Sequence, residues 1–116
     1  MNGAKVNIKN NDNWTPLHLA ARKGQEKGIQ TIIRINQTLR EKGMEEFDLN
    51  ATGGAQQWSA IHLAAHGGYF QIVKDLIAAG ADVLIRNLGN QLPRHCAKGN
   101  YILTKFLKLA EQCKSK

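Results

Sequence analysis

Apolar side chains recur at helical spacing in three separate parts of the chain. Within each set, the members lie one, three or four residues apart, which places them on one face of a helix. The three sets are Ile29, Ile32 and Ile33; Ile72, Val73, Leu76 and Ile77; and Leu103, Phe106, Leu107 and Ala110. The pattern therefore predicts three helices, each of which buries one face.

An internal repeat precedes the first two of these helices. Residues 14–24 (WTPLHLAARKG) align over 11 positions without a gap with residues 58–68 (WSAIHLAAHGG). Each segment predicts a short helix that ends in a glycine turn at Gly24 or Gly68. Pro16 suits the first helical position, where its missing N–H is not needed. Gly80 suits the end of the second apolar helix, and residues 81–85 are expected to form a short extended stretch.

A third copy of the pattern is weaker. Residues 92–97 (LPRHCA) lie 33 residues after residues 59–64 (SAIHLA), and they keep the histidine and the final alanine. Arg94 replaces the apolar residue of the other copies, and Cys96 is expected to be a small buried side chain. Gly99 comes about two residues early, so the connection between the two helices of this unit is expected to be short. A more polar third unit suits the end of a repeat stack, where the outer face meets water.

The hexapeptide TPLHLA at residues 15–20, together with GADV at residues 80–83, resembles the ankyrin repeat, whose period is 33 residues. The resemblance implies an all-α solenoid of stacked helix–turn–helix units with projecting β-hairpin loops, forming one domain over residues 1–116. It divides the chain into the end of a partial repeat (1–9), a first repeat (10–51), a second repeat (52–86), a degenerate C-terminal repeat (87–113) and a tail (114–116). A partial opening repeat favours a fragment of a longer array over a chain that begins with an orphan hairpin arm.

An insertion lengthens the first repeat. Thr15 and Ser59 are 44 residues apart, whereas the period is 33, and the additional residues lie around positions 34–47. Good helix formers up to Lys42 predict that the second helix of this repeat is about two turns longer than usual and ends at Gly43. Met44 and Phe47 either contribute to a partner surface, or Phe47 covers the end of the long helix. One further residue is added in the hairpin at residues 52–57.

The repeated histidines are expected to be structural. In ankyrin repeats this residue bonds to the backbone and to the neighbouring Thr or Ser, which implies a bracing role for His18, His62 and His95. The structural residues that the resemblance implies with them are Thr15, Pro16, Ser59 and Pro93. Stacking separates the three histidines by about 10 Å each, too far apart for a shared metal ion. No nucleophile–base pair, paired carboxylates or phosphate-binding loop is present in the sequence, so we expect no enzymatic activity, cofactor or metal.

The resemblance also implies where a partner binds. Ankyrin proteins use their hairpin tips and the exposed face of the short helices. Carried over by position, this gives Asp12, Trp14, Gln56, Trp58 and Gln91 on the hairpins, and Arg22, Lys23, His66 and Lys98 on the helices. Trp14 and Trp58 occupy the same repeat position, and tryptophan is enriched in interface hot spots. Each indole either contacts a partner or packs against the adjacent hairpin arm and stiffens it, and both roles suit different faces of one ring.

Composition and charge add two constraints. The 116 residues suit one domain, and two cysteines with no signal or membrane-spanning segment suggest a cytoplasmic or nuclear monomer. The net charge is +7, and from Arg86 onward the chain has seven Lys or Arg residues and one acidic residue, Glu111. We therefore expect a non-catalytic protein–protein interaction module whose partner is another protein. The alternative is electrostatic binding of nucleic acid or anionic lipid by the basic C-terminal repeat.

Overall fold

The computed structural model describes residues 9–11, 13–97 and 99–114. Within these residues the helices are α1 (Pro16–Lys23), α2 (Glu26–Glu41), α3 (Ala60–Gly67), α4 (Phe70–Ala78), α5 (Pro93–Cys96) and α6 (Tyr101–Lys114). Helices α1, α3 and α5 pack side by side as an inner layer, and α2, α4 and α6 form an outer layer. Each inner helix pairs with the outer helix that follows it, so the stack of helix–turn–helix units expected from the sequence is confirmed.

Residue size explains how the two layers pack. The inner helices approach closely because small residues lie between them, and these are at most 6% exposed: Ala20, Ala21, Ala64 and Ala65. The outer helices contribute fully buried branched side chains: Ile29, Ile72, Leu76, Leu103 and Leu107. Burial of one such branched side chain contributes about 1.5–3 kcal/mol. The core is therefore continuous along the stack.

A histidine closes the start of each inner helix. The Thr15 N–H donates to Nδ1 of His18 (3.1 Å), and the His18 N–H donates to Oγ1 of Thr15 (3.3 Å). Ser59 and His62 repeat this reciprocal capping box with distances of 3.1 and 3.4 Å. The box occupies two backbone donors that the first turn of a helix leaves without an intrahelical partner.

The other imidazole nitrogen connects neighbouring units. Nε2 of His18 donates to the carbonyls of Ala51 (2.9 Å) and Trp58 (3.1 Å), and Nε2 of His62 donates to the Gln91 carbonyl (2.9 Å). Because Nδ1 of each ring accepts a backbone N–H, the ring proton is on Nε2. Both rings are at most 1% exposed, and this burial lowers the pKa of His18 and of His62 below the ordinary value of 6.5.

The hairpin loops are held by few backbone hydrogen bonds. Gly53 and Trp58 exchange two, at 3.0 and 2.9 Å, and form the one antiparallel bridge in the described part of the chain. The flanking loops each have one backbone bond between their ends, from Asn10 N–H to the Trp14 carbonyl (2.9 Å) and from Asn87 N–H to the Gln91 carbonyl (3.1 Å). In the reverse direction, the Trp14 and Gln91 N–H groups donate to Oδ1 of Asn10 (3.0 Å) and of Asn87 (2.9 Å). The middle loop is one residue longer than these two, as the sequence predicts. The projecting loops are thus hairpin turns without extended strands.

The expectation of an extended stretch at residues 81–85 is wrong. The chain turns at Val83 and Leu84, because the Leu84 N–H donates to Oδ1 of Asp82 (2.9 Å) and closes an Asx-type turn. Val83 and Ala81 are both buried, at 1% and 0% exposure. The alternation of buried and less buried residues in this segment therefore arises from a local turn and not from an extended stretch.

The first hairpin restricts two glycines of the next one: Trp14 restricts Gly54, and the Asn13 carbonyl restricts Gly53, where an added Cβ atom would collide with the oxygen. The indole lies directly against Gly54, where a Cβ atom would be 2.6 Å from Cζ2 of the ring, and it also contacts Gly53. Gly54 has a φ of +73°, a conformation that costs other residues about 1–2 kcal/mol. The middle hairpin is therefore specified by the preceding hairpin, 40 positions earlier.

The insertion extends the outer layer. Helix α2 has 16 residues and α4 has nine, so the predicted two-turn extension is confirmed, and the chain reverses at Gly43 (φ +70°). The segment after α2 is tied back to it, because the Phe47 N–H donates to Oδ1 of the buried Asn36 (2.6 Å). Phe47 is half-buried, which suits a side chain that covers the end of the long helix. Met44 is 44% exposed, which suits a partner surface.

The third unit is two residues shorter than the others from one helix start to the next, but the expected short connection is wrong. The first helix of the unit is short instead, and four residues, 97–100, join it to α6, whereas two join the helices of the other units. Helix α5 has four residues, and Leu92 has no hydroxyl, so only the backbone N–H of Leu92 donates to Nδ1 of His95 (2.9 Å). Arg94 pairs through Nε with the Glu111 carboxylate of α6 at 2.9 Å. The hydroxyl of Thr104 donates to the Ala97 carbonyl (3.2 Å). Polar contacts therefore join α5 to α6 where the other units use apolar ones.

Substitution of Gly54 tests the fit between the hairpins. Gly54→Ala should lower the free energy of unfolding by about 2–4 kcal/mol, because backbone strain is added to a steric conflict with Trp14. Gly43→Ala is the matched control: its φ is also near +70°, but no atom lies within 4 Å of the added Cβ, so about 1–2 kcal/mol is expected. Urea unfolding measures both, and equal losses would contradict the proposed conflict.

The buried imidazoles should make stability depend on pH. Because the pKa of each ring is lower in the folded protein, the unfolded chain binds protons that the folded chain does not. The free energy of unfolding should therefore be constant above about pH 7 and fall as the pH drops through 6.5, by at most about 1.4 kcal/mol per pH unit for each ring. Urea unfolding between pH 7.5 and 5.5 measures this slope, and His62→Gln should reduce it. An unchanged slope in that variant would argue against a contribution from His62.

Candidate functional site

Two cavities lie side by side between the hairpin loops and the inner helices, on a surface that we call the inner groove. The first, of about 430 Å³, is lined by Trp14, Arg22, Gly53, Gly54, Ala55, Gln56, Trp58 and Leu63. The second, of about 260 Å³, is lined by Trp58, His66, Gln91, His95 and Cys96. Trp58 is the wall that both cavities share. Most of the partner-binding residues expected from the sequence therefore border one continuous depression.

The two tryptophans differ in their surroundings although they share a repeat position. The Trp14 ring lies 5.0 Å from the His18 ring and packs on the glycines of the next hairpin. In the third hairpin the corresponding positions hold Asn87 and Leu88, so Trp58 has no such glycine surface. Its indole instead meets the edge of the exposed His66 ring at 5.2 Å. Each tryptophan is half-buried, with one part packed in the stack and one part open to the groove.

The remaining expected contacts are distributed unevenly. Arg22 is exposed and borders the first cavity, whereas Lys23, one residue further, is exposed but borders neither cavity. Gln56 is exposed, and its carbonyl accepts the Leu88 N–H (2.8 Å), which links the second hairpin to the third. The side chain of Gln91 is occupied, because its Oε1 accepts Nδ2 of Asn87 (3.0 Å). Asp12 and Lys98 lie outside the described residues.

The inner groove carries one positive side chain and no negative one. Arg22 is the one Lys or Arg in the lining of the two cavities, and no Asp or Glu side chain borders either cavity in the described residues. Leu63 and Cys96 provide apolar floor and are 9% and 8% exposed. Neither of these two is among the contact residues expected from the sequence. Leu63 lies one helical turn before the exposed His66 of the concave face, and this spacing is a sequence signal that indicates Leu63.

The site offers surface for binding and no grouping that suggests catalysis or metal coordination. Among the residues that the structure describes, no three His, Cys, Asp or Glu side chains come close enough to hold a metal ion. His18 and His62 are buried and engaged in the capping boxes described above, so their rings are inaccessible to a ligand. A shallow apolar floor with few polar groups and two indoles is typical of a site that binds another molecule.

The described positive side chains of the C-terminal unit differ in their surroundings. Arg94 is held by Glu111, and Nη1 of Arg86 donates to the Asn90 carbonyl (3.0 Å), whereas Lys105 and Lys108 are exposed on α6. Binding of nucleic acid or anionic lipid by this unit stays a prediction. Across the described part of the chain, none of the helices combines the length and the apolar character needed to cross a bilayer.

Comparisons with known proteins identify the repeat. A family model described as ankyrin repeats (three copies) matches residues 1–87, which leaves the unit with α5 and α6 outside the match. Ankyrin repeat and SAM domain-containing protein 6 of Rattus norvegicus is 35% identical over 81 residues, which are 70% of this chain and 8% of that protein. Ankyrin repeat and SOCS box protein 3 of Homo sapiens is 31% identical over 80 residues, 69% of this chain and 14% of that protein. Synphilin-1 of Mus musculus is 28% identical over 101 residues, 85% of this chain and 10% of that protein.

The chain thus spans no more than 14% of the length of any of these three relatives. The family is typically non-catalytic and mediates binding between proteins. Because the family match covers 87 of the 116 residues, and because the described residues form stacked helix–turn–helix units with the repeated capping histidine, the chain belongs to the ankyrin-repeat family.

Proposed function

We propose that this chain is a non-catalytic interaction module that binds a segment of another protein in the inner groove. The observation that carries this proposal is Trp58, a half-buried indole shared by two adjacent cavities and packed against the His66 ring in a T-shaped contact. A tryptophan anchored in this way presents a rigid apolar surface and loses little conformational freedom on binding. Such residues dominate the energetics of many interfaces.

The charge of the groove indicates the chemistry of the segment. Its lining contains one Arg and, in the described residues, no Asp or Glu, so a partner with a carboxylate near its apolar contact residues has the complementary potential. Each of the two cavities provides room for one side chain of the partner, and the two side chains lie on opposite sides of Trp58. An extended segment places alternate side chains on one face, and this arrangement suits two neighbouring depressions.

The relatives support a role as an attached recognition unit. The names of two of them pair ankyrin repeats with a SAM domain or a SOCS box, and the matched region is a small part of each protein. By analogy, this chain supplies recognition as a scaffold, adaptor or targeting module, and any further activity belongs to other parts of an assembly. The partner itself is a separate protein of acidic character at the contact.

Single substitutions on the two sides of the stack test the proposal. A partner identified with the unaltered protein as bait, and then purified, should bind Trp58→Ala and Arg22→Glu at least about tenfold more weakly, because both change the first cavity. Arg34→Glu is the matched control, since Arg34 is exposed on the outer helix α2. Isothermal titration measures the affinities, and urea unfolding verifies that Arg22→Glu is as stable as the unaltered protein.

The outcomes separate the possibilities. Loss of affinity in the two inner-groove variants alone supports the proposal. An equal loss in Arg34→Glu would show that overall charge governs binding, and unchanged affinity in Trp58→Ala would exclude the inner groove as the site.

A further inference from the structure

A second depression lies on the opposite layer of the molecule, between α4 and α6. Its volume is about 400 Å³, and it is lined by Ile77, Phe106, Leu109, Ala110 and Cys113. We call it the outer groove. Every residue in this lining is apolar or a cysteine, and none of them belongs to the inner groove. The surface is therefore independent of the function proposed above.

The helical period of α6 shows which way the outer groove faces. Thr104 and Glu111 point toward α5, as their bonds to Ala97 and Arg94 show, and Phe106 stacks on Phe70 of α4 with ring centroids 5.0 Å apart. Ile102 lies nine residues before Glu111, which is half a turn away around the helix. Ile102 and Leu109 thus face away from α5, toward solvent, with exposures of 70% and 53%.

This direction also distinguishes the outer groove from a stacking surface. A further repeat would pack against the side of α6 that is opposite α4, since α4 and α6 are themselves neighbours in the stack. Leu109 and Cys113 border the groove toward α4 instead. Addition of another unit would therefore leave the outer groove open.

The equivalent groove between α2 and α4 has a different character. It is lined largely by polar side chains, including Gln30, Gln37, Arg40 and Asp75, and Nε2 of Gln30 donates to Oδ2 of Asp75 (3.4 Å) across it. The backbone of α6 also keeps a greater distance from α4 than α2 does. The rings of Phe70 and Phe106 pack between α4 and α6, and the cavity lies beside Phe106.

Lys74 of α4 and Lys105 of α6 flank the outer groove without lining the cavity itself. Lys74 of α4 holds its ammonium 5.9 Å from the Phe70 ring centroid, and Lys105 of α6 holds its ammonium 5.8 Å from that of Tyr101. The carboxylates of these two helices are directed elsewhere: Asp75 toward α2 and Glu111 toward α5. The groove therefore combines an apolar floor with a positive charge on each side.

We propose that the outer groove binds an amphipathic α-helix of a partner protein, with acidic residues on both sides of its apolar face. Three exposed positions, Ile102, Leu109 and Cys113, and the half-buried Phe106 form one ridge along α6, which spans about 17 Å, or three helical turns. A helix laid along the groove packs its own ridge of side chains beside that of α6. Its carboxylates then meet Lys74 and Lys105, which selects an acidic helix over a basic one.

Cys113 provides a direct readout of occupancy. It is exposed in the groove, whereas Cys96 is buried, so an alkylating reagent should modify Cys113 first. One probe is a synthetic 14-residue helix with leucines at positions i, i+4, i+7 and i+11 and glutamates beside them. The second probe is the same peptide with lysines in place of the glutamates, and the third is a phosphatidylserine vesicle. At saturation, the glutamate peptide should slow the alkylation of Cys113, measured by mass spectrometry, at least about tenfold, and the other two probes should not.

Matched variants complete the test. Leu109→Gln should weaken the glutamate peptide at least about tenfold, and Ile35→Gln, a similarly exposed apolar site on α2, should leave its binding unchanged. The double variant Lys74→Glu/Lys105→Glu should reverse the preference and bind the lysine peptide. Equal protection by both peptides, protection by vesicles alone, or no protection by the glutamate peptide would overturn the proposal. None of these outcomes bears on the inner groove, because none of these variants changes a residue that lines it. In the same way, Trp58→Ala and Arg22→Glu leave the outer groove intact.

Discussion

The stack depends on one hydrogen-bonding arrangement, the imidazole that caps its own helix with Nδ1 and reaches the next unit with Nε2. His18 and His62 each connect a helix start to a carbonyl 29–40 residues further along the chain. The ring is buried, so a missing partner leaves a polar group without water, at a cost of about 1–3 kcal/mol. The position of each hairpin is therefore fixed relative to the helix before it, and the inner groove inherits its geometry from these bonds.

Sequence patterns predict the parts of this fold that depend on local rules. The glycine turns at Gly24 and Gly68, the long α2 and the shortened third unit follow from spacing, propensity and helix-end preferences. The turn at Val83 was not predicted, because its cause is a side-chain bond from Asp82 that competes with extended backbone. The sequence also did not predict the packing of Trp14 against Gly54 or the space between α4 and α6. Both arise from contacts between units, which a single copy of the repeat does not encode.

The candidate site shows the same division. The repeat position of Trp14 and Trp58 indicated both residues, but their different environments depend on the hairpin that follows each of them. Leu63 and Cys96 complete the cavities and carried no polar or aromatic signal. The outer groove was beyond prediction, since Leu109 is an exposed leucine like many others until its neighbour Ile77 is placed beside it. The two layers thus offer surfaces of different chemistry, indoles on the inside and aliphatic side chains on the outside.

The packing of Trp14 against Gly53 and Gly54 has a consequence for how such a stack diversifies. A hairpin in one repeat and a glycine pair in the next form a matched set, so neither member changes freely without the other. When a repeat carries the tryptophan but the next repeat lacks the glycines, the indole loses that packing surface and packs against other side chains. Trp58, followed by Asn87 and Leu88, is in that situation. A mismatch between successive units thus changes what the indole packs against, from Gly54 at Trp14 to the His66 ring at Trp58, while both indoles stay half-buried.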